Sequence, residues 1–411
     1  MRPREPPRGL LVVLSLLLLM VAGIRPLAAV SESGDGWTVH YNLPDSDTTY
    51  DTSRRTGEYA LRELLLKRLG ALRHGDEALL ASFTFSGDSN CCGGAGPILD
   101  ACEKALKRGA RVGLVVGGGV SLTEDFGGQS IARLAARSEN PLRVSRDDAK
   151  ERLMHHKLAV LAYGESDRRV ITTSWNFTGG ASSLQWNIAL ELMHAGVYDA
   201  YRAEMVELLA GAFHDHEQKS RDHDPTVFRL PGDWGPCEIR FGPFADPDRP
   251  SGRDEILEVI RGAEAYLLIA IPRLTLREMP DALIAAADRG VRVEIALPRA
   301  DMKRGGASVR AARKLRRRSA YATDNRVRFV TARISADDPM KDRGQRDLVH
   351  VKYLVADPAG RRPIVVHGSA NWTYSALVNP RGNDENIVVL RHEGIAQAFT
   401  RHYMRMTGRL K

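Results

Sequence analysis

Two stretches of the chain carry the same four side chains at the same spacing. His155 is followed by Lys157, Ser174 and Asn176, and His350 by Lys352, Ser369 and Asn371. In each, lysine stands two, serine nineteen and asparagine twenty-one residues after the histidine. A lone His-x-Lys on a strand is an ordinary structural feature. Two copies in register point to a duplication and to one shared site. Histidine changes charge near neutral pH and can act as nucleophile, acid or base. Two histidines facing one phosphate can divide that work. One attacks phosphorus; the other protonates the leaving oxygen and then deprotonates the incoming water or alcohol. Two lysines would hold the non-bridging oxygens and stabilise the transition-state charge. Ser174, Asn176, Ser369 and Asn371 are expected to add neutral donors to the same oxygens.

These side chains need strands behind them. Residues i and i+2 of a strand share a face, so each histidine projects with its lysine, and His156 turns away into packing. The order of elements repeats. Asp76–Phe85 and Glu264–Ile271 read as apolar strands, and Pro97–Lys107 and Met279–Asp288 as helices ending in Arg-Gly. Arg111–Val116 and Arg292–Leu297 read as the next strands, and the phrase Arg-Gly-(Ala/Val)-Arg-Val recurs 181 residues apart. The His-x-Lys strands, a short strand before each Ser-x-Asn element, the final strands Asn187–Leu192 and Asn386–Leu390, and closing helices at Tyr198–Phe213 and Gly394–Met406 complete two α/β units. Strand–helix–strand order implies parallel, buried strands. Trp175 and Trp372 are expected in the core. The glycine-rich Gly117–Gln129 stretch is a candidate lid.

The doubled pattern resembles the phospholipase D superfamily and its two His-x-Lys-(x)4-Asp motifs. The likeness runs from about Trp37 to Lys411, and the second copy matches fully with His350, Lys352 and Asp357, then Gly368-Ser369-Ala370-Asn371. The resemblance implies two α/β/α halves forming one pseudo-twofold unit, with the active site at their interface. It also implies a covalently phosphorylated histidine, commonly that of the first copy, and chemistry without metal or cofactor. The first copy departs from the pattern: Ala162 replaces the motif Asp, a largely structural group in the family, and Thr173 replaces the glycine. The resemblance further implies an acidic residue just before the final strand, orienting a histidine ring. Aligning Asn187 with Asn386 sets Gln185 and Trp186 against Asp384 and Glu385. On that alignment the acids stand behind His350, while Gln185 serves His155 as a neutral acceptor. His155 is then expected to be the more neutral ring, which suits a nucleophile.

The rest of the chain sets bounds. Its 411 residues, 43% hydrophobic and 27% charged, suit one large domain or two ordinary ones. Arg2, Arg4 and Arg8 precede the fifteen-residue apolar run Leu10–Ile24 and the small residues Ala28 and Ala29. This reads as a leader over residues 1–29, too short for an ordinary span, and predicts a secreted or extracytoplasmic protein. The formal charge of +8 falls to +5 without residues 1–29, which hold four arginines and one glutamate. Mild basicity suits a phosphate-bearing substrate. Cys91, Cys92, Cys102 and Cys237 allow two disulfides in an exported chain, with Cys91 or Cys92 to Cys102 as a short loop, and free thiols as the alternative. Lys303–Arg318 holds eight Lys or Arg and no acid, a solvated basic helix or a contact for anionic membrane or nucleic acid.

The expected organisation is a first half over 30–213, a linker over 214–235 and a second half over 236–411, with both motifs in one chain so that a monomer suffices. The function these features point to is a metal-independent phosphodiesterase that hydrolyses phospholipids or transfers their phosphatidyl group. A secreted nuclease using the same site is the second reading. A catalytically weak binder of anionic lipid or nucleic acid is the third. Aromatics are 6% of the chain, and no basic–aromatic platform for bases is visible.

Overall fold

The structure is a computed structural model. It describes residues 31–44, 59–86, 94–183, 185–214, 224–244, 249–298, 301–302, 305–321, 326–330 and 348–410. The leader, Cys91, Cys92, Lys303 and Arg304 lie outside the described residues.

The first half contains β1 (Ser31–Gly34), β2 (Trp37–Tyr41), α1 (Ala60–Gly70), β3 (Glu77–Ser82), β4 (Phe85–Ser86), α2 (Ala95–Lys107), β5 (Arg111–Val116), α3 (Ile131–Ala135), β6 (Arg143–Arg146), β7 (Lys157–Tyr163), β8 (Asp167–Thr173), β9 (Phe177–Thr178), α4 (Gly179–Ser183), β10 (Gln185–Trp186), β11 (Ile188–Leu192) and α5 (Ala195–Leu209). The second contains β12 (Thr226–Phe228), β13 (Cys237–Phe241), α6 (Gly252–Gly262), β14 (Tyr266–Ala270), α7 (Glu278–Asp288), β15 (Arg292–Ala296), α8 (Val309–Tyr321), β16 (Val327–Val330), β17 (Leu348–Val349), β18 (Tyr353–Ala356), β19 (Ile364–Gly368), α9 (Tyr374–Leu377), β20 (Asn386–Leu390) and α10 (Glu393–Met406).

The duplication is complete at the level of strand order. One eight-stranded sheet runs β1-β2-β11-β8-β7-β3-β5-β6, the other β12-β13-β20-β19-β18-β14-β15-β16. Each position in one sheet has its counterpart in the other. Within these two sheets, among the described residues, the expected parallel pairing holds for β3-β5-β6 and β14-β15-β16. The remaining neighbours are antiparallel, and connection length is the reason. A helical crossover joins parallel strands, whereas the short turns β7–β8 and β18–β19 permit only an antiparallel return. β12 lies inside the stretch expected to be linker and forms the edge of the second sheet.

The two closing helices pack between the sheets. Val197, Tyr201, Met205 and Leu208 of α5 share one apolar cluster with Ile395, Phe399 and Tyr403 of α10, and inward residues of both sheets join it. Each half keeps a second cluster beneath its outer helices. Trp175 and Trp372 are buried there, as expected from sequence. Gly117–Gln129 is tied into the fold through buried Val120 and Phe126; the Phe126 ring packs edge-on to Phe85, 6.0 Å away. Cys102 and Cys237 are free and buried, the alternative that the sequence left open for these two thiols. Burial pushes the Cys102 thiol up to about 12. Among the described residues, no helix is long and apolar enough to cross a membrane.

Candidate active site

The site forms where the halves exchange backbone. β10 pairs in parallel with β17, setting Gln185 against Leu348 and Trp186 against Val349. The counterpart is a parallel bridge between Met154 and Asp384. The next residue on each strand then meets the far half: the His155 N–H donates to the Asp384 carbonyl at 2.9 Å, and the His350 N–H to the Trp186 carbonyl at 3.2 Å. This register sets His155 beside Glu385 and His350 beside Asn187.

The side chains follow. His155 Nδ1 lies 2.8 and 2.9 Å from the two Glu385 oxygens. His350 Nδ1 lies 3.0 Å from Asn187 Oδ1. Each histidine is therefore oriented by the other half. The acids do not stand behind His350, which corrects the sequence alignment. The Ser174 hydroxyl accepts from Ile188 N–H at 3.1 Å and donates to Asn187 Oδ1 at 2.9 Å. The Ser369 hydroxyl accepts from Asn386 N–H at 3.0 Å and donates to Glu385 at 2.5 Å. Asn187 is thus the counterpart of Glu385, and Trp186 that of Asp384. The repeated Asn-Ile dipeptide had drawn the alignment one residue out of register. Gln185 reaches neither ring; it joins β10 to β17 through its backbone and leaves Oε1 without a hydrogen-bond partner.

Both serines correct a second expectation. Their hydroxyls are engaged in fixing Asn187 and Glu385 and are not free donors. Asn176 and Asn371 differ, since the Oδ1 of each is buried without a hydrogen-bond partner. Lys157 Nζ donates to the His155 carbonyl at 2.7 Å and Lys352 Nζ to the His350 carbonyl at 2.6 Å. Each lysine is folded back on its own histidine, so the i, i+2 spacing does bring the pair together.

Electrostatics differ between the two rings. Burial lowers the pKa of His155 to about 4, against the opposing pull of Glu385. His350 is held well below the ordinary range by burial, then by Lys352, Lys157 and His155. Burial also brings Lys157 down to about 7, again against Glu385, and pushes Lys352 well down. Burial alone would raise Glu385, but His155, Lys157 and the Ser369 hydroxyl hold it low. Of the two rings, His155 is the one with a carboxylate to support positive charge, the reverse of the sequence expectation. The site holds two lysines against this one carboxylate, so an anionic phosphodiester would complete the charge balance and favour the cationic forms.

Asp357 accepts backbone N–H bonds from Glu264, Ala265 and Tyr266 at 2.7 to 2.8 Å, a structural brace at a left-handed turn (φ 48°). Its counterpart Ala162 cannot do this. In the first half Asp76 accepts from Arg73 and Gly164 N–H instead, at 2.6 and 2.8 Å.

Three features were missed in the sequence. Phe83 packs at a tilt against His155, centroids 5.1 Å apart, with Lys157 Nζ 5.5 Å from the ring centre, a cation–π geometry for the charged lysine. Arg273, exposed just after β14, reaches the site through its charge on Lys352. His214, expected in the linker, is buried between Asp147 and Asp384. A lone Phe, Arg or His after a strand carries no signal of its own. His156, by contrast, packs as expected, 3.2 Å from Glu204.

Comparison with known proteins agrees with the duplicated fold. The family described as "Cardiolipin synthase, PLD-like domain" matches residues 75–209 and 256–407. The chain is similar in fold to phosphatidylserine synthase of Haemophilus influenzae Rd KW20, at TM-score 0.59 and 12% identity over 85% of each chain. It also matches the phospholipase D family member Nuc from Salmonella typhimurium at 22% identity, over 43% of this chain and 95% of that one, with TM-score 0.32. No curated protein matches it.

Proposed function

The chain belongs to the PLD-like domain family of the cardiolipin synthase type, and we propose that it is an exported phosphodiesterase that cleaves phospholipids, or transfers their phosphatidyl group to an alcohol, through a phosphohistidine. The observation that carries the reading is the unequal cross-half pairing: carboxylate on His155, neutral amide on His350.

With Nδ1–H donated to Glu385, His155 presents the Nε2 lone pair outward. Nε2 attacks phosphorus, the P–N bond forms and the P–O bond to the leaving alcohol breaks. His350 Nε2–H gives that oxygen its proton. The phosphorylated ring carries positive charge, which Glu385 stabilises at close range. Water or a second alcohol then loses its proton to His350 as its oxygen forms the new P–O bond and the P–N bond breaks. Lys157 and Lys352 turn from the histidine carbonyls to the non-bridging oxygens, with Asn176 and Asn371 as neutral partners. In the free site His350 disfavours its proton, which makes it a strong acid; the arriving phosphodiester anion restores that proton.

A nuclease is the second reading, and one observation favours it. On α8, Ala311, Ala312 and Leu315 are buried, Lys314 and Arg318 pair with Asp281 and Asp288, and exposed Arg310, Arg313 and Arg317 have no ion pair among the described residues. Residues at this spacing form one helical stripe, a footprint suited to phosphates. The test is to incubate mature protein with phosphatidylcholine vesicles and, separately, with plasmid DNA, in EDTA, beside His350→Ala. Release of choline without nicking, lost in the variant, supports the lipid reading. EDTA-resistant nicking lost in the variant replaces it with the nuclease, and binding without turnover with the weak binder.

A further inference from the structure

We infer that His214 is a positioning residue for the His155–Glu385 pair, a conclusion that rests on the phosphodiesterase reading above. His214 follows α5 and belongs to neither motif. Its ring is buried. Nε2 lies 3.0 Å from Asp147 Oδ2, and Nδ1 lies 3.1 Å from Asp384 Oδ2 and from the Gly382 carbonyl. Its backbone N–H donates to Asp384 Oδ1 at 3.1 Å. The groups that face the ring are all acceptors: a carboxylate of each half and a backbone carbonyl. A non-glycine residue at φ 55° completes the geometry, a conformation retained where surrounding contacts over-determine it.

What the ring holds together is specific. Asp147 Oδ2 accepts from Met154 N–H at 2.9 Å. Asp384 donates its N–H to the Leu153 carbonyl at 3.0 Å and accepts from His155 N–H at 2.9 Å. Asp147 and Asp384 therefore flank the Met154–Asp384 bridge, and the residues next in sequence are His155 and Glu385. His214 lies against both aspartates and so supports that bridge from both halves at once. Among the described residues, the counterpart bridge, Trp186 to Val349, shows no such fastening: Trp186 stands in place of Asp384 and packs against His402, centroids 5.9 Å apart. Among the described residues this support stands on the side where a histidine meets a carboxylate at 2.8 Å. A misplacement of about 1 Å by a change away from the reacting atoms can cost about 10²-fold in rate.

The test uses the full mature chain with His214→Gln and, in case that variant fails to fold, Asp147→Asn. Glu191→Gln serves as comparator, since Glu191 is an equally buried carboxylate paired with Arg68 away from the site. The expected result is a kcat reduced about 10- to 100-fold at near-constant KM, with the comparator matching the loss of melting temperature and keeping its kcat. The His155 Nδ1 proton resonance shared with Glu385 is expected to shift or vanish in the His214 and Asp147 variants. Unchanged kcat and an unchanged resonance, in variants destabilised like the comparator, would overturn the inference. The resonance needs no turnover, so it decides the matter even if the protein cleaves none of the substrates tried; that outcome would count against the phosphodiesterase reading instead.

Discussion

The two halves share strand order, turns and the His-Lys-Ser-Asn spacing, yet they differ at the position that faces each histidine ring. Glu385 and Asn187 occupy equivalent places, each held by a serine hydroxyl, and each faces the histidine of the other half. A carboxylate favours the charged form of an imidazole; an amide carbonyl orients the ring without favouring charge. The two halves therefore share the geometry, and the divergence between amide and carboxylate gives the two rings different electrostatic partners, on which the proposed division of tasks rests. The inequality does not lie within the first motif, where Ala162 replaces the motif aspartate, because Asp76 braces that turn independently.

The largest break in the comparison comes from the histidines. His155→Ala is expected to lower kcat by about 10⁴-fold on any phosphodiester, since the nucleophile is gone. His350→Ala should lower it comparably for a lipid but only about 10-fold for an aryl diester, whose leaving group needs no acid. Steady-state rates on both substrate types check this; equal losses for the two variants on the aryl diester would merge the roles again.

Next in size is Glu385→Gln, expected to cost about 10² to 10³ in kcat through loss of charge support, whereas Asn187→Ala should cost about 10-fold. The pH profile gives the sign. His155 must be neutral to attack, so kcat/KM rises with pH through about 4. On the alkaline side kcat/KM falls first as His350, needed protonated and held well below its ordinary range, loses its proton, and further as Lys157, needed charged to bind phosphate, passes about 7. Glu385 raises the His155 and Lys157 values, and Glu385→Gln is expected to move both of those limbs to lower pH. A limb that moves up would contradict the pairing.

Lys157→Met should separate function from stability. The folded state holds this ammonium at a depressed pKa, which disfavours the fold wherever the lysine is charged in the unfolded chain. Removing it is expected to raise stability by roughly 1 to 3 kcal/mol at pH 7 while abolishing turnover, measured by denaturant unfolding. The smallest functional effect belongs to Asp357→Ala. Three backbone N–H groups lose their acceptor, at a cost of about 1 to 3 kcal/mol, with kcat expected to stay within two-fold.

Much of this was legible in the sequence. Arg111–Val116 and Asn386–Leu390 coincide with the observed strands, because β-branched runs bounded by Arg-Gly and polar residues admit few other readings. The four His and Lys of the motifs were found by spacing alone. What stayed hidden depends on contacts between halves. Periodicity reports which face of a strand is buried, not which distant strand pairs with it, so the cross-over of Glu385 to His155 had no local signature. The shared Asn-Ile dipeptide then misaligned Asn187 by one residue, and a one-residue slip reverses every facing in a strand. The same limit hid His214, which sits in a polar stretch and gains its role from two aspartates 67 residues before it and 170 after it.

The central claim is that His155, supported by Glu385 from the opposite half, is the residue that carries the phosphoryl group. Quenching His350→Ala in alkaline denaturant during turnover of an aryl phosphodiester, followed by mass mapping of the trapped adduct under conditions that spare the acid-labile P–N bond, tests it directly. The expected result is a phosphoryl adduct on the peptide containing His155, diminished when Glu385→Gln is added. An adduct that forms only in the reciprocal His155→Ala variant, on His350, would contradict it.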